Sequence, residues 1–321
     1  MTDIRQLRYF TALAETLHFG RAAEQLHITQ PPLSRQIAAL EAELGISLLT
    51  RTSRAVSLTL AGEQFYRHAK ALLADLDTAV RTAQATARGE RGELRLNFTM
   101  SAAWSLLPRL VKAYSDERPQ VGLRLNETLP RDLAQLLGSG AADFGIAFSS
   151  PPSGQLRYLP LHREPLCAVL PSRHPLAAQA RLDVAQLADE AFVCFPRDTA
   201  PALHAAFMDC CRSGGFSPRI RLETHLQQTI VNLVGEGLGV SLVPDSMRRM
   251  QLDGAVFRPL LSSPQIEQGL YWHEGNANPC LGGFLDCAQR LAASLQAGAP
   301  GFPPKPSPGS GDTGPPPDRS G

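Results

Sequence analysis

Gln30, Ser34, Arg35 and Gln36 fall within the stretch TQPPLSRQIAALEAELG, residues 29–45. Side chains of these types hydrogen-bond base edges and phosphates, so the chemistry they suggest is recognition of a nucleic acid. Leu33, Ile37, Leu40 and Leu44 recur at spacings of four, three and four, which puts them along one side of a helix. The polar four are left on the opposite face. Thr29 is placed to cap the helix start, and Gly45 to end it in the left-handed conformation. Pro31 and Pro32 fall in the first turn, where backbone N–H groups lack an intrahelical partner in any case.

The elements around this helix decide whether its polar face is simply solvated. Residues 3–17 read as a first helix burying Ile4, Leu7, Phe10, Ala14 and Leu17, with Asp3 and Gln6 in capping-box spacing. Residues 21–26 read as a second, very short helix with Ala22, Ala23 and Leu26 inward, joined to the polar-faced helix through His27, Ile28 and Thr29. That is a helix-turn-helix. Leu48-Leu49 and Val56–Leu58 read as two short strands around Arg51, Thr52, Ser53 and Arg54. They form a small wing whose two arginines suit phosphate or the minor groove.

LRYFTALAETLHFGRAAEQLHITQPPLSRQIAALEAELGISLLTRTSRAVSLTLAG resembles the winged helix-turn-helix of the LysR-type transcriptional regulators, and the resemblance extends over nearly all of residues 1–296. It implies a sequence-specific DNA-binding regulator switched by a small-molecule effector, a carboxylate or an aromatic metabolite. Thr29, Gln30, Pro31, Pro32, Ser34, Arg35 and Gln36 would meet the major groove, with Arg51, Thr52 and Arg54 on the backbone or minor groove. Gly20 stands where the family usually carries a serine that caps the second helix, and glycine is an acceptable N-cap. RNA polymerase is a further partner that such a regulator implies.

Length and charge are compatible with this. The 321 residues suffice for two or three domains with cores of their own. A formal net charge of +1, and ten Lys/Arg against eight Asp/Glu in residues 1–89, exclude a strongly basic, non-specific nucleic-acid binder. The sequence shows no apolar run of membrane length and no signal-peptide pattern, so a cytoplasmic protein is expected.

Residues 59–88 read as one long helix with Phe65, Ala69, Leu72, Leu76, Ala79 and Ala83 in a coiled-coil-like seam. The seam either packs on its own domain or pairs with the same helix of a second subunit. The resemblance favours the second, a homodimer or tetramer on an imperfect inverted repeat. Gly89, Glu90, Arg91 and Gly92 then break the helix as a hinge.

Beyond the hinge, strand and helix patterns alternate: 94–98, 104–116, 121–126, 131–137 and 144–148, then a crossing at 166–170 into 191–195, 202–212, 220–223, 226–234 and 240–243, with a return at 268–271. Two doubly wound α/β lobes with mainly parallel sheets are expected, like the periplasmic-binding-protein-like effector domain of the family. The expected domains are 1–58 for DNA binding, 59–89 for the dimerisation helix and hinge, 90–296 for effector binding, and a disordered tail at 297–321, where eight prolines and six glycines fall in 25 residues.

A ligand between the lobes would sit near the strand ends. Polar residues just after strands and beside helix starts are Ser101, Thr128, and Arg197, Asp198 and Thr199. The segments TMSAAWSLLPRL and FPRDTAPALHAAF resemble the two effector loops of the family, which adds Ala102 and Pro201. Pro130 competes with Thr128 for one family position, and Gln227 is a further candidate.

Cys167, Cys194, Cys210, Cys211, Cys280 and Cys287 show no CxxC or Cys/His ligand spacing, so no metal site and no cofactor is expected. A peroxide-sensing branch of the family carries a reactive cysteine near the position of Cys194, but its resolving cysteine lies closer than Cys210 does here. His162, His174, His204 and His225 are scattered, no hydrolase or phosphate-loop motif is present, and an enzyme is not expected. A ligand-binding receptor without DNA function is the rival from another class, since residues 93–296 could hold a ligand unaided.

Overall fold

The computed structural model describes residues 3–52, 55–150 and 154–296. The expectations for Ser53, Arg54 and the tail at 297–321 lie outside them. The chain divides at Arg88 into two units.

The first unit contains α1 (Ile4–Thr16), α2 (Phe19–Gln25), α3 (Gln30–Leu44), a hairpin of β1 (Leu49–Arg51) and β2 (Val56–Leu58), and α4 (Leu60–Ala87). The capping box of α1 forms as its spacing implies: Gln6 N donates to Asp3 Oδ1 at 2.8 Å and Asp3 N to Gln6 Oε1 at 3.0 Å. Phe10, Leu13, Ala22, Ala23, Leu33, Ile37, Leu40 and Leu48 make the core. Ile4 and Leu17, expected inside, are exposed because they lie at the two ends of α1, where Leu17 has already turned left-handed at φ 50°.

The start of the second helix also differs from the sequence reading. His18, not Gly20, is the N-cap: its Nδ1 accepts from Gly20 N at 3.1 Å and Arg21 N at 3.3 Å, so the helix begins at Phe19. Gly20 lies inside the first turn under the His18 ring, where a Cβ would stand 3.1 Å from Cε1.

Thr59 caps α4, accepting from Gly62 N at 2.9 Å while donating to Ser47 O at 2.8 Å. Gly62 lets α4 lie directly on the hairpin: a Cβ there would come within 2.0 Å of the Leu48 carbonyl oxygen.

In the second unit, β3 (Gly92–Phe98) pairs in parallel with β4 (Val121–Glu127) and β5 (Phe144–Phe148). α5 (Met100–Trp104), α6 (Leu107–Glu117) and α7 (Pro130–Gly138) are the connections. The helix expected over 104–116 is α6, which begins three residues later; it is preceded by the unexpected α5, which ends before Ser105, whose hydroxyl donates to buried Gln268 Oε1 at 2.6 Å.

β6 (Leu156–Pro171) is far longer than the expected crossing. Its first part pairs with β11 (Gln265–His273), and its last part with β9 (Ser241–Pro244) and β10 (Ala255–Pro259). These pairings are antiparallel, as is β11 with β5. The sheets are therefore mixed, because the two strands that carry the chain between lobes run against their neighbours. The second lobe is completed by β7 (Ala191–Cys194), α8 (Pro201–Ser213), β8 (Arg219–Glu223) and α9 (Gln227–Gly235), with β7 and β8 parallel. Finally, α10 (Leu281–Gln296) returns to the first lobe, where Phe284 packs edge-on to Tyr114 at 5.0 Å. Such aromatic burial supplies much of the core's cohesion.

Candidate nucleic-acid interface and ligand cleft

α3 buries Leu33, Ile37 and Leu40 and turns its other face outward. Thr29, Gln30, Pro31 and Arg35 are exposed, and Pro32, Ser34 and Gln36 are half-buried. Thr29 stands at the N-cap but makes no side-chain cap bond, contrary to the expected cap, so its hydroxyl is open to a ligand. Pro31 and Pro32 remove two of the first-turn N–H groups that water would otherwise have to satisfy. Gly45 closes the helix at φ 68°.

The wing is arranged differently. Arg51 Nη2 lies 2.9 Å from Glu41 Oε2, and its guanidinium sits over Phe19 at 5.2 Å. The other Glu41 oxygen accepts from Leu48 N at 2.9 Å and Leu49 N at 3.0 Å. Arg51 thus fastens the hairpin to α3 and α2, and Glu41 offsets part of its charge. Thr52 closes the turn with Ala55, its N donating to Ala55 O at 2.9 Å.

Along α4, Phe65 packs edge-on against Phe10 at 5.3 Å, and Ala69 is buried in the same unit. These two seam residues serve the helical core because α1 lies against the first turns of α4. Farther on, Leu72 is 59% and Val80 48% exposed, Leu76 is half-buried and Ala79 is exposed.

In the second unit a narrow cleft of about 40 Å³ opens between the lobes, lined by Thr99, Ser101, Thr128, Pro130, Phe148, Phe195, Thr199, His225 and Gln227, among others. The topology explains the convergence: Thr99 and Ser101 follow β3, Thr128 and Pro130 follow β4, Thr199 follows β7, and His225 and Gln227 follow β8. Both competitors for one position, Thr128 and Pro130, line it. Ser101 Oγ donates to Gln227 Oε1 at 2.8 Å, which bridges the two lobes. Thr199 Oγ1 and His225 Nδ1 are 2.6 Å apart. Arg249 Nη1 adds a second bridge, donating to Trp104 O at 2.6 Å.

Other candidates fall elsewhere. Ala102 is buried in the core of the first lobe, because it sits on the inner side of α5. Arg197 is exposed and lines neither this cleft nor the cavity beside it, whereas Asp198 and Pro201 line that neighbouring cavity. Thr99 and His225 were not expected, although both meet the same rule of a polar residue between a strand end and a helix start. Thr99 is 5% exposed and its hydroxyl has no partner.

Cys194 is fully buried, and burial pushes its thiol up to about 12. It is held as a neutral thiol, which gives the peroxide-sensing alternative no thiolate to start from. All six cysteines are buried and reduced. Among the described residues there is no cluster of metal-ligating side chains, and no helix long and apolar enough to cross a membrane.

Two family models match the chain: the bacterial regulatory helix-turn-helix protein, lysR family, over residues 4–63, and the LysR substrate binding domain over residues 87–293. The HTH-type transcriptional regulator IlvR of Caulobacter vibrioides is 42% identical over 286 residues, covering 88% of this chain and 96% of IlvR. AlsR of Bacillus subtilis, also an HTH-type transcriptional regulator, is 35% identical over 308 residues, 92% of this chain and 99% of AlsR. The crystal structure of CbnR, a LysR family transcriptional regulator, superposes with a TM-score of 0.82 at 26% identity, over 89% of this chain and all of that one. Full-length CbnR complexed with its target DNA gives 0.79 at 25% identity, over 91% and 100%.

Proposed function

Since the chain belongs to the LysR family of transcriptional regulators, a DNA-binding regulator with an effector domain, we propose how its parts divide that work. Arg35, Ser34, Gln30 and Gln36 read base edges in the major groove, while Thr29 and the paired prolines lie close to the backbone. Arg51 makes a weaker, indirect contribution by fixing the hairpin. The exposed part of α4 around Leu72, Leu76 and Ala79 pairs with a second copy, which presents two reading helices to an imperfect inverted repeat. The protein works in the cytoplasm, at promoters, with RNA polymerase as a downstream partner.

The observation that carries the switch is the Ser101–Gln227 bond across the lobes. A carboxylate entering the cleft takes over the Ser101 and Thr199 hydroxyls and releases Gln227 and His225. The lobes then settle at a new angle, and the effector acts through its different affinity for the two arrangements.

The test uses the full-length protein and its upstream DNA. Arg35→Ala loses about 1–3 kcal/mol of binding on the specific site and much less on random DNA. Equal loss on both makes Arg35 a phosphate contact. In parallel, a thermal-shift screen of small carboxylates finds a stabilising acid whose effect disappears in Thr199→Ala. A shift that survives Thr199→Ala moves the effector out of this cleft.

A further inference from the structure

A second cavity, of about 320 Å³, adjoins the polar cleft and shares Pro130, Phe148, Ala200 and Leu203 with it. Its walls are mostly apolar. Leu133 and Leu137, one turn apart on α7, face Phe148 and Leu156, and α7 lies so near β5 that a Cβ at Gly145 would come within 2.4 Å of a Leu133 methyl. Tyr271 contributes its ring and not its polar tip: its hydroxyl accepts from Ser150 N at 2.8 Å and donates to a backbone carbonyl, that of Ser150 at 3.1 Å or of Phe148 at 3.3 Å. Tyr158 packs against that ring at 4.6 Å and holds it in place. The charged residues of the lining, Arg131 and Asp198, are both exposed.

The two spaces therefore form one site with unlike ends. At the narrow end stand Ser101, Thr199 and the buried, unpartnered hydroxyl of Thr99, beside the start of α9, whose Leu226 N-cap supplies no side-chain bond to the first turn. Free helix N–H groups and hydroxyl donors favour an anionic head. At the wide end the polar side chains Arg131, Ser150 and Asp198 are all exposed, and burying a second charge among Leu133, Leu137 and Tyr271 without a partner is costly. We propose that the effector is an amphiphilic monocarboxylate, with its head in the Thr99–Ser101–Thr199 cleft and an unbranched alkyl tail in the Leu133–Leu137–Tyr271 cavity. This deepens the reading above and rests on it.

The experiment is calorimetric titration of the full-length protein with acetate, butyrate, hexanoate, octanoate and the dicarboxylate adipate. Affinity is expected to rise by about fourfold for each methylene added to the monocarboxylates, the ratio that burial of a CH₂ gives. Hexanoate binds more tightly than adipate. Ala134→Phe, an exposed α7 position that lines the cavity, flattens the series so that hexanoate falls to the level of butyrate. Should that variant lose thermal stability, Ala202→Phe fills the cavity from α8 instead, and the wild-type series is decisive by itself. Acids that bind independently of length, all lost in Thr199→Ala, overturn the tail and leave the carboxylate cleft standing. Adipate binding as tightly as hexanoate also overturns the tail. No binding by any acid overturns both the tail and the cleft.

Discussion

The outer face of α3 and the cleft between the lobes use similar polar residues in opposite ways. On α3, the side chains of Gln30, Ser34 and Arg35 make no hydrogen bond or ion pair among the described residues, and Gln30 and Arg35 stand exposed. In the cleft, Ser101 and Thr199 are buried and already bonded to Gln227 and His225. A surface of the first kind is ready for its target and costs the fold nothing to keep. One of the second kind stabilises the unliganded protein and has to be broken by the ligand, which is the property a switch needs. Preorganisation and self-satisfaction are thus divided between the two units.

That contrast can be attacked at several strengths. The reading face is rigid because α4 presses on the hairpin beside α3. Gly62→Ala, which drives a Cβ into the Leu48 carbonyl, should destabilise the first unit by up to about 3 kcal/mol or leave it unfolded. Thermal unfolding of the variant, with DNA binding alongside, checks this, and an unchanged melting temperature would show that the packing gives way easily.

Glu164 is the sharpest case of a buried polar group in the second unit. It accepts from Ser246 N at 2.6 Å and Ser246 Oγ at 3.1 Å, and burial pushes its carboxyl up to about 7 despite those bonds. Because the folded form binds the proton more tightly than the unfolded chain does, stability contributed here falls as pH rises from about 4.5 to about 7, then stays constant. Glu164→Gln removes that slope, a difference on the order of 2–3 kcal/mol across the window. Melting curves of the two proteins that remain parallel from pH 4.5 to 7.5 would contradict the assignment.

Ser101→Ala leaves Gln227 without its donor and should cost about 1 kcal/mol of stability. At the small end, Arg35→Ala should leave the melting temperature unchanged while it weakens DNA binding. If Arg35→Ala melted lower and Ser101→Ala did not, the contrast between the two surfaces would be reversed.

Local rules made much of this legible in the sequence. The spacing of Leu33, Ile37 and Leu40 located α3, and the capping box of Asp3 and Gln6 located the start of α1. The positions after strand ends gave Ser101, Thr128 and Thr199, which line the cleft, together with Asp198, which lines the neighbouring cavity, and Arg197, which lines neither; the start of α9 gave Gln227. What stayed hidden depends on contacts distant in sequence. His18 caps α2 through a ring that ordinary capping preferences do not favour. The β6 strand lacks a continuous apolar pattern at Pro160, His162 and Arg163, so only pairing with β11 reveals it. Arg51 reads in sequence as a free cation, because its partner Glu41 lies ten residues earlier and meets it only in the fold. Phe65 and Ala69 continue an apolar seam in sequence, but α1 claims them in space.

The sixteen residues of β6 hydrogen-bond to strands of both lobes. To a ligand the lobes are two jaws, but to a folding chain they are one unit, since neither completes its sheet without its share of this strand. Expression of either lobe alone should therefore yield insoluble or unfolded material. A protease cut between the exposed residues Gly154 and Gln155, just before β6, would leave the fragments associated, held together by a strand that both halves own.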